Sequence, residues 1–295
     1  MRSRAPRYGA ALLLAALTLV APGCASVGDW FAFGPDWVAV DTRTGESVTL
    51  EQMADELASA DVVFLGELHD SPVGHALQAD LLALLGERRP EVVLSLEMFE
   101  RDVQAELDRY LAGELSEDAF LENARPWPRY ASDYRPAVEW AREHGRPVLA
   151  ANVPRPLAKR VATDGLAAVS NETHVPLFVD HSDGEYRTRF DATMAGHGSI
   201  DDGAMARYFA AQCLKDEVMA QSIAASLQRD HRGALVVHLC GNFHSDFGLG
   251  TVERLERRAG KFERRIVSMR RGPRDARPLS NQDRASADYL WLVRR

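Results

Sequence analysis

The chain has 295 residues, of which 46% are hydrophobic and 26% charged. Those proportions exclude disordered and fibrous classes and allow one large α/β domain or two small ones. Lys and Arg total 35 against 43 Asp and Glu, a net charge of −8, which argues against sequence-independent binding of nucleic acid.

The first 23 residues read as a targeting segment. Arg2, Arg4 and Arg7 form a positive start. Gly9 to Ala21 is an uncharged apolar run, too short to span a bilayer as a mature helix. Small residues then lead to Cys24. Ala21-Pro22-Gly23-Cys24 resembles a bacterial lipobox, although Ala21 stands where Leu is usual, so Cys24 is the expected lipidation site. Removing residues 1–23 takes away three positives and no acid, which leaves 32 against 43, or −11. A lipidated Cys24 implies attachment to a membrane of the cell envelope, and Ala25 after it suggests the outer membrane. Cys213 and Cys240 then remain, and they can form one disulfide or stay as two buried thiols.

Residues 24–39 are expected to be a tether and residues 40–295 one α/β domain. Asp61 to Gly66 (DVVFLG) has the signature of a buried strand. Ser71 and Pro72 supply an N-cap and a first-turn proline for a helix to about Leu85. Val92 to Leu96 is the next strand, followed by a helix over about Arg101 to Leu111 that stops at Gly113, and a shorter one from about Ser116. An aromatic loop over 126–136 enters a helix ending at Gly145. Pro147 to Ala151 is a third strand, with a helix from Pro154 to Ala162 behind it. Residues 170–200 are polar, and a long helix follows from about Asp202 to Arg229. Ala234 to Cys240 is a fourth strand. Arg264 to Met269 and Asp288 to Val293 read as edge strands. This alternation predicts a three-layer α/β fold: a mostly parallel sheet, helices on both faces, and a helical cap from 100–145 and 170–230.

Four of these strands end in polar residues: Gly66-Glu67-Leu68-His69, Glu97-Met98, Asn152-Val153-Pro154-Arg155 and Gly241-Asn242-Phe243-His244. Ligands of open α/β sheets bind outside the carboxyl ends of the strands. Glu67 and His69, two apart, face the same way in extended backbone. Gly66 and Gly241 permit a close backbone approach or a positive φ. One such carboxylate is usually a cap or an ion-pair partner, and one loop histidine is seldom a ligand. The convergence of Glu67, His69, Glu97, Asn152 and His244 on one edge marks a candidate site. No P-loop, nucleophile elbow, dinucleotide fingerprint or His-Glu-x-x-His is present.

At these residues the chain resembles the ChaN-like lipoproteins, a haem-binding, iron-regulated family within the group that includes Tiki-type proteases and erythromycin-esterase-like proteins. The matching text is FLGELHD (64–70), LEMFERDVQ (96–104), the Trp127 to Pro136 loop, AANVPR (150–155), AQCLKDEVMA (211–220) and GNFHSDFG (241–248). The resemblance implies a lipobox and places Glu67, His69, Glu97 and His244 in the group's site. It also implies two functions. The first is haem binding, with a tyrosine on the iron; since a surface cap would offer only half an apolar slot, a homodimer that completes it on haem loading is expected. Tyr186 and Tyr208, near His181 and His197, are candidates by composition, and Arg187 and Arg189 for the propionates. The second is hydrolysis, with the Glu/His cluster acting as acid and base or holding a divalent metal, in which case His69, His244 and one Glu are the expected zinc ligands. A third reading is an interaction protein whose polar edge is a relic. On like-charge repulsion, Glu67→Gln or Glu97→Gln is expected to change stability little.

Overall fold

The computed structural model describes residues 33–34, 36–198, 200–272 and 278–294; Cys24 lies outside them. In chain order the strands are β1 (Phe33–Gly34), β2 (Trp37–Asp41), β3 (Ser47–Val48), β4 (Val62–Glu67), β5 (Val92–Glu100), β6 (Val148–Asn152), β7 (Leu235–Gly241), β8 (Arg264–Arg271) and β9 (Tyr289–Val293). The α-helices are α1 (Leu50–Leu57), α2 (Pro72–Arg88), α3 (Gln104–Leu111), α4 (Glu117–Ala124), α5 (Tyr130–Asp133), α6 (Arg135–Glu143), α7 (Arg155–Asp164), α8 (Glu185–Met194), α9 (Asp202–Ala225), α10 (Thr251–Ala259) and α11 (Asn281–Ser286).

The strand order is β1-β2-β9-β8-β4-β7-β5-β6, with β3 paired to β2. From β9 to β6 every neighbouring pair is parallel, and the β2 pairings are antiparallel. Alternate residues of each strand enter different cores, as the two-residue period requires. Val63, Leu65, Leu94, Val237 and Trp291 pack beneath the first helices, including Leu81 of α2 and Val138 of α6. Val62, Phe64, Val93, Val236 and Leu290 pack against Ile223 of α9 and Leu255 of α10. Every residue of β4 is buried, which explains the unbroken apolar text from Val62 to Leu65.

Local chemistry starts the helices where the sequence placed them. The Ser71 hydroxyl accepts from the Gly74 N–H at 3.2 Å with Pro72 at the first position, and Asp201 caps α9 through the Ala204 N–H at 2.9 Å. Three expectations change. The C-terminal strands β8 and β9 are interior, because β2 pairs along β9 and closes that side. Residues 33–34 and 37–39, expected in the tether, are paired strand. Residues 170–184 contribute loop and not helix to the cap, which is built by α8 and the start of α9 around Tyr186, Phe190, Phe209 and Cys213. Cys213 and Cys240 are free, buried thiols. No helix among the described residues is long and apolar enough to cross a membrane.

Leu81 is fully buried under the central strands. Leu81→Ala is expected to cost about 3 kcal/mol through lost burial and the cavity left behind, read as a lower denaturant midpoint with an unchanged slope.

Candidate functional site

The chain runs from β4 to β5 to β6, then returns to insert β7 between β4 and β5. That reversal opens a crevice at the carboxyl ends of three adjacent strands. Glu67 ends β4 in register with Gly241 of β7. The β5–β7 ladder stops at Leu96↔Leu239, and β5 loses register with β6 between Leu96 and Glu100. Glu97 sits in this irregular stretch, where a bulge can re-aim a side chain. The crevice opens into a cleft of about 840 Å³ that takes in Glu67, His69, Glu97 and His244.

Glu67 is buried, and its Oε1 collects three contacts. His69 Nδ1 lies at 2.8 Å, the Tyr134 hydroxyl donates at 2.8 Å, and His75 Nε2 lies at 3.3 Å. On its far side the His75 ring meets Asp133 at 3.2 Å. Neither His75 contact is aligned as a hydrogen bond, and Glu67 Oε2 has no partner among the described residues. Burial alone would raise the Glu67 pKa; the contacts with His69 and His75 outweigh it and lower the value. Burial likewise opposes the His69 cation, and the Glu67 hydrogen bond with the Glu97 charge reverses this and raises its pKa. With Nδ1 held by Glu67, His69 presents Nε2 to the cleft beside the edge of the Trp127 ring.

The second half of the site is more enclosed. Glu97 Oε2 accepts the Gly241 N–H at 2.7 Å, and its Oε1 lies 3.2 Å from His244 Nε2. The other His244 nitrogen, Nδ1, meets Asp216 Oδ1 at 2.7 Å. Asp216 also accepts from Thr251 at 2.9 Å and from the Tyr186 hydroxyl at 2.6 Å. Burial opposes a charged His244, but the two carboxylates overcome it and push its pKa up to about 10. Glu97 is held far below the ordinary carboxylate range, burial being outweighed by the His244 charge. His238, one turn of pleat behind, shows burial without such partners: its pKa falls to about 4.

Both glycines serve close approach, and neither has a positive φ. A Cβ on Gly241 would stand 2.8 Å from His69 Nε2, and one on Gly66 would stand 2.6 Å from Asn242 Oδ1.

The structure therefore brings Glu67, His69, Glu97 and His244 together as expected, with Asn152 behind them donating to the Glu97 carbonyl at 2.9 Å. Asp216, Tyr134, His75 and Asp133 were missed. Asp216 and Tyr134 lay within text that carried the family resemblance; His75 had no signal beyond an apolar helical face. Three expectations are corrected. Tyr186 is buried, bonded to Asp216, and has its pKa pushed well above the normal value by burial and that carboxylate, so it is a poor source of tyrosinate. Arg187 and Arg189 are committed to Asp191 and Glu185. The zinc set fails because both nitrogens of His244 and Nδ1 of His69 already face carboxylates; among the described residues no group of three or more His, Cys, Asp or Glu is arranged to hold a metal ion. His181 is exposed and turned back to the Val179 carbonyl at 3.0 Å. The His197 side chain lies outside the described residues. Tyr208 is 40% exposed.

The sequence profile of the family described as "Haem-binding uptake, Tiki superfamily, ChaN" matches residues 53–255. The chain belongs to the ChaN family. Among solved structures, ChaN of Campylobacter jejuni, described with cofacial haem binding, superposes with a TM-score of 0.70 at 19% identity, covering 88% of this chain and 98% of that one. That likeness is one of fold. An erythromycin esterase, EreC, in its open conformation gives a TM-score of 0.45 at 17% identity over 75% of this chain and 72% of its own. Protein RETICULATA-RELATED 5, chloroplastic, of Arabidopsis thaliana is 21% identical over 257 residues, which is 80% of this chain and 34% of the plant protein. This chain thus spans about a third of that relative's length.

The titrations have opposite signs. The His244 contribution to stability is fully present below its unfolded pKa near 6.5 and is lost as pH rises towards 10. Neutral His238 costs nothing above pH 6.5 and destabilises as pH falls towards 4. Glu97, with a depressed pKa, contributes above its unfolded value of 4.5 and loses that contribution in acid. Stability measured by denaturant across pH is expected to peak near neutrality, and His244→Gln should flatten the alkaline side. Contrary to the repulsion argument, Glu97→Gln should destabilise by roughly 3 kcal/mol, because it leaves His244 half-paired in the interior. An unchanged midpoint in that variant would disprove the ion-pair account.

Proposed function

We propose that this chain is a haem-binding lipoprotein of the bacterial cell envelope and that Tyr208 is the iron ligand. Family membership supports haem as the ligand class. The observation that carries the assignment is the Tyr208 hydroxyl: it is exposed and has no partner among the described residues, whereas the Tyr186 hydroxyl is consumed by Asp216. Tyr208 lies one turn before Gln212 and two turns before Lys215 on α9, and both of these line the cleft. The cleft has the volume of a cofactor site and the apolar walls a porphyrin needs, from Trp127, Phe190, Met194 and Phe243. The residues present therefore fit the group. Bound haem supplies a Lewis-acidic iron, for which a tyrosinate at Tyr208 is a hard anionic ligand suited to the ferric state.

A half-exposed ligand also supports completion of the site by a second copy, in keeping with the cofacial arrangement described for the C. jejuni protein. Lipidation of Cys24 would hold the protein at the outer membrane. Cys24→Ser should then release it from the membrane fraction; a variant that still sediments wholly with membranes excludes that anchor.

The Glu67–His69 pair favours a second reading. His69 Nε2 faces the cleft while Glu67 fixes its tautomer from behind, the arrangement of a general base. In that reading the chain is a metal-independent hydrolase, and His244, enclosed by two carboxylates, positions Glu97.

Ferric haem titrated into the protein should give a tyrosinate-type visible spectrum. Tyr208→Phe should abolish that spectrum, Tyr186→Phe should retain it, and reduction of the iron should weaken binding. Retention in Tyr208→Phe would remove the ligand assignment. Absence of any haem complex, together with ester or peptide hydrolysis that Glu67→Gln abolishes, would put the hydrolase first.

A further inference from the structure

A side pocket of about 190 Å³ adjoins the cleft and is lined by Glu100, Trp127, Asn152, Arg155 and Lys215. Trp127 and Lys215 line both spaces and form the wall between them. Lys215 is half-buried, and its ammonium has no hydrogen bond or ion pair among the described residues. That is unusual in this neighbourhood, where cations are otherwise matched. Arg129 meets Asp133 at 2.8 Å, Arg187 meets Asp191 at 2.8 Å, Arg189 meets Glu185 at 2.7 Å and Arg270 meets Asp246 at 2.8 Å. Arg155 approaches Glu100 at only 3.4 Å and is 60% exposed. The other Glu100 oxygen already accepts two bonds from Arg125, so the Arg155 guanidinium keeps donors for a second anion. Asn152 is tied into the wall, its amide donating one bond to the Glu97 carbonyl and its oxygen accepting from the Val153 N–H.

Resting on the haem reading above, we propose that Lys215, with Arg155, seats an acidic group of the cleft's ligand in this side pocket, and that for haem this group is a propionate. The spacing agrees. Tyr208 and Lys215 are seven residues apart on α9, about 10 Å along its axis and on one stripe. A flat ligand centred at Tyr208 and carrying an acid arm reaches from one to the other, with its edge against Trp127. A half-buried ammonium facing a carboxylate makes a charge-assisted contact that a neutral ester cannot reproduce. Arg187 and Arg189, the cations nearest in sequence to Tyr186, are less suited because each is ion-paired to an acid on its own helix.

The test compares haemin with haemin dimethyl ester, in which both propionates are neutral, by absorbance titration of the full chain. The wild-type protein should bind haemin about tenfold more tightly than the diester, and salt should erode the difference. Lys215→Met should bring haemin down to the affinity of the diester and leave the diester unaffected. Lys215→Arg should keep most of the preference. Equal, tight binding of both porphyrins by the wild-type protein would overturn the Lys215 assignment and leave the haem reading intact. Equal weakening of both by Lys215→Met would mean a structural role and overturn it too. Binding of neither would remove both readings together.

Discussion

Glu97 is a carboxylate buried at the carboxyl edge of the sheet, and the site is organised around keeping it charged. An ionised group stripped of water is tolerated only if paired and hydrogen-bonded. Its two oxygens are satisfied by unlike partners, the Gly241 N–H from the backbone of β7 and the His244 imidazole. The first ends the strand that β4 and β5 flank, and the second lies in the turn that follows it. The topology that inserts β7 last is therefore also what supplies the compensation. The same logic runs outward. His244, charged because of Glu97, needs Asp216, and Asp216 needs the hydroxyls of Thr251 and Tyr186.

That chain of dependence ties the cap to the sheet. Tyr186 belongs to α8, Asp216 to α9 and Thr251 to α10, so one carboxylate joins three helices to the end of β7. Around it Tyr186, Phe190 and Phe209 form a small apolar cluster separate from the two main cores. Displacing the Tyr186 phenol would leave one Asp216 oxygen without its hydroxyl partner beside a fixed imidazolium. The cap is accordingly anchored by polar contacts at its inner edge, while Tyr208, one turn before Gln212 on α9, stays exposed. The opposite wall is built differently. Tyr134 and His75 hold Glu67 from the first helical layer, and Arg129 reaches both Asp133 and the His69 carbonyl.

The central strands and their polar ends were legible because burial on both faces writes an unbroken apolar run, and the residues that follow must turn polar where the run meets a crevice. Glu67, His69, Glu97 and His244 stood out for that reason. Asp216 did not, because it lies in the middle of a long helix beside Glu217, and two adjacent acids on a helix read as a solvated face. Both are buried, Asp216 against His244 and Glu217 against Arg254 and Arg258. Their roles depend on which other elements arrive there, and that is long-range information. The burial of β8 and β9 was hidden for a similar reason. Strands at the end of a chain are edges only if nothing earlier pairs beyond them, and here β2 does. The error over carboxylate repulsion has a local cause. Sequence places two acids near each other but does not reveal that an imidazole stands against each.

The distribution of cations bears on how a ligand would be chosen. A chain with net charge −8 repels anions at long range, but at physiological ionic strength this field fades within roughly 8 Å. What an incoming ligand meets is set by charges at the mouth of the cleft. There the acids are already partnered from within, Glu67 by His69 and Tyr134, Glu97 by His244 and Glu100 by Arg125. The Lys215 ammonium helps to keep Glu97 ionised, but makes no close ion pair among the described residues. The buried ion pairs that hold the sheet edge together thus also leave the Lys215 and Arg155 cations available beside an apolar wall. Such a wall discriminates by the position of a ligand's charge relative to its flat apolar body, and so favours an amphiphilic acid over either a simple anion or a neutral ring.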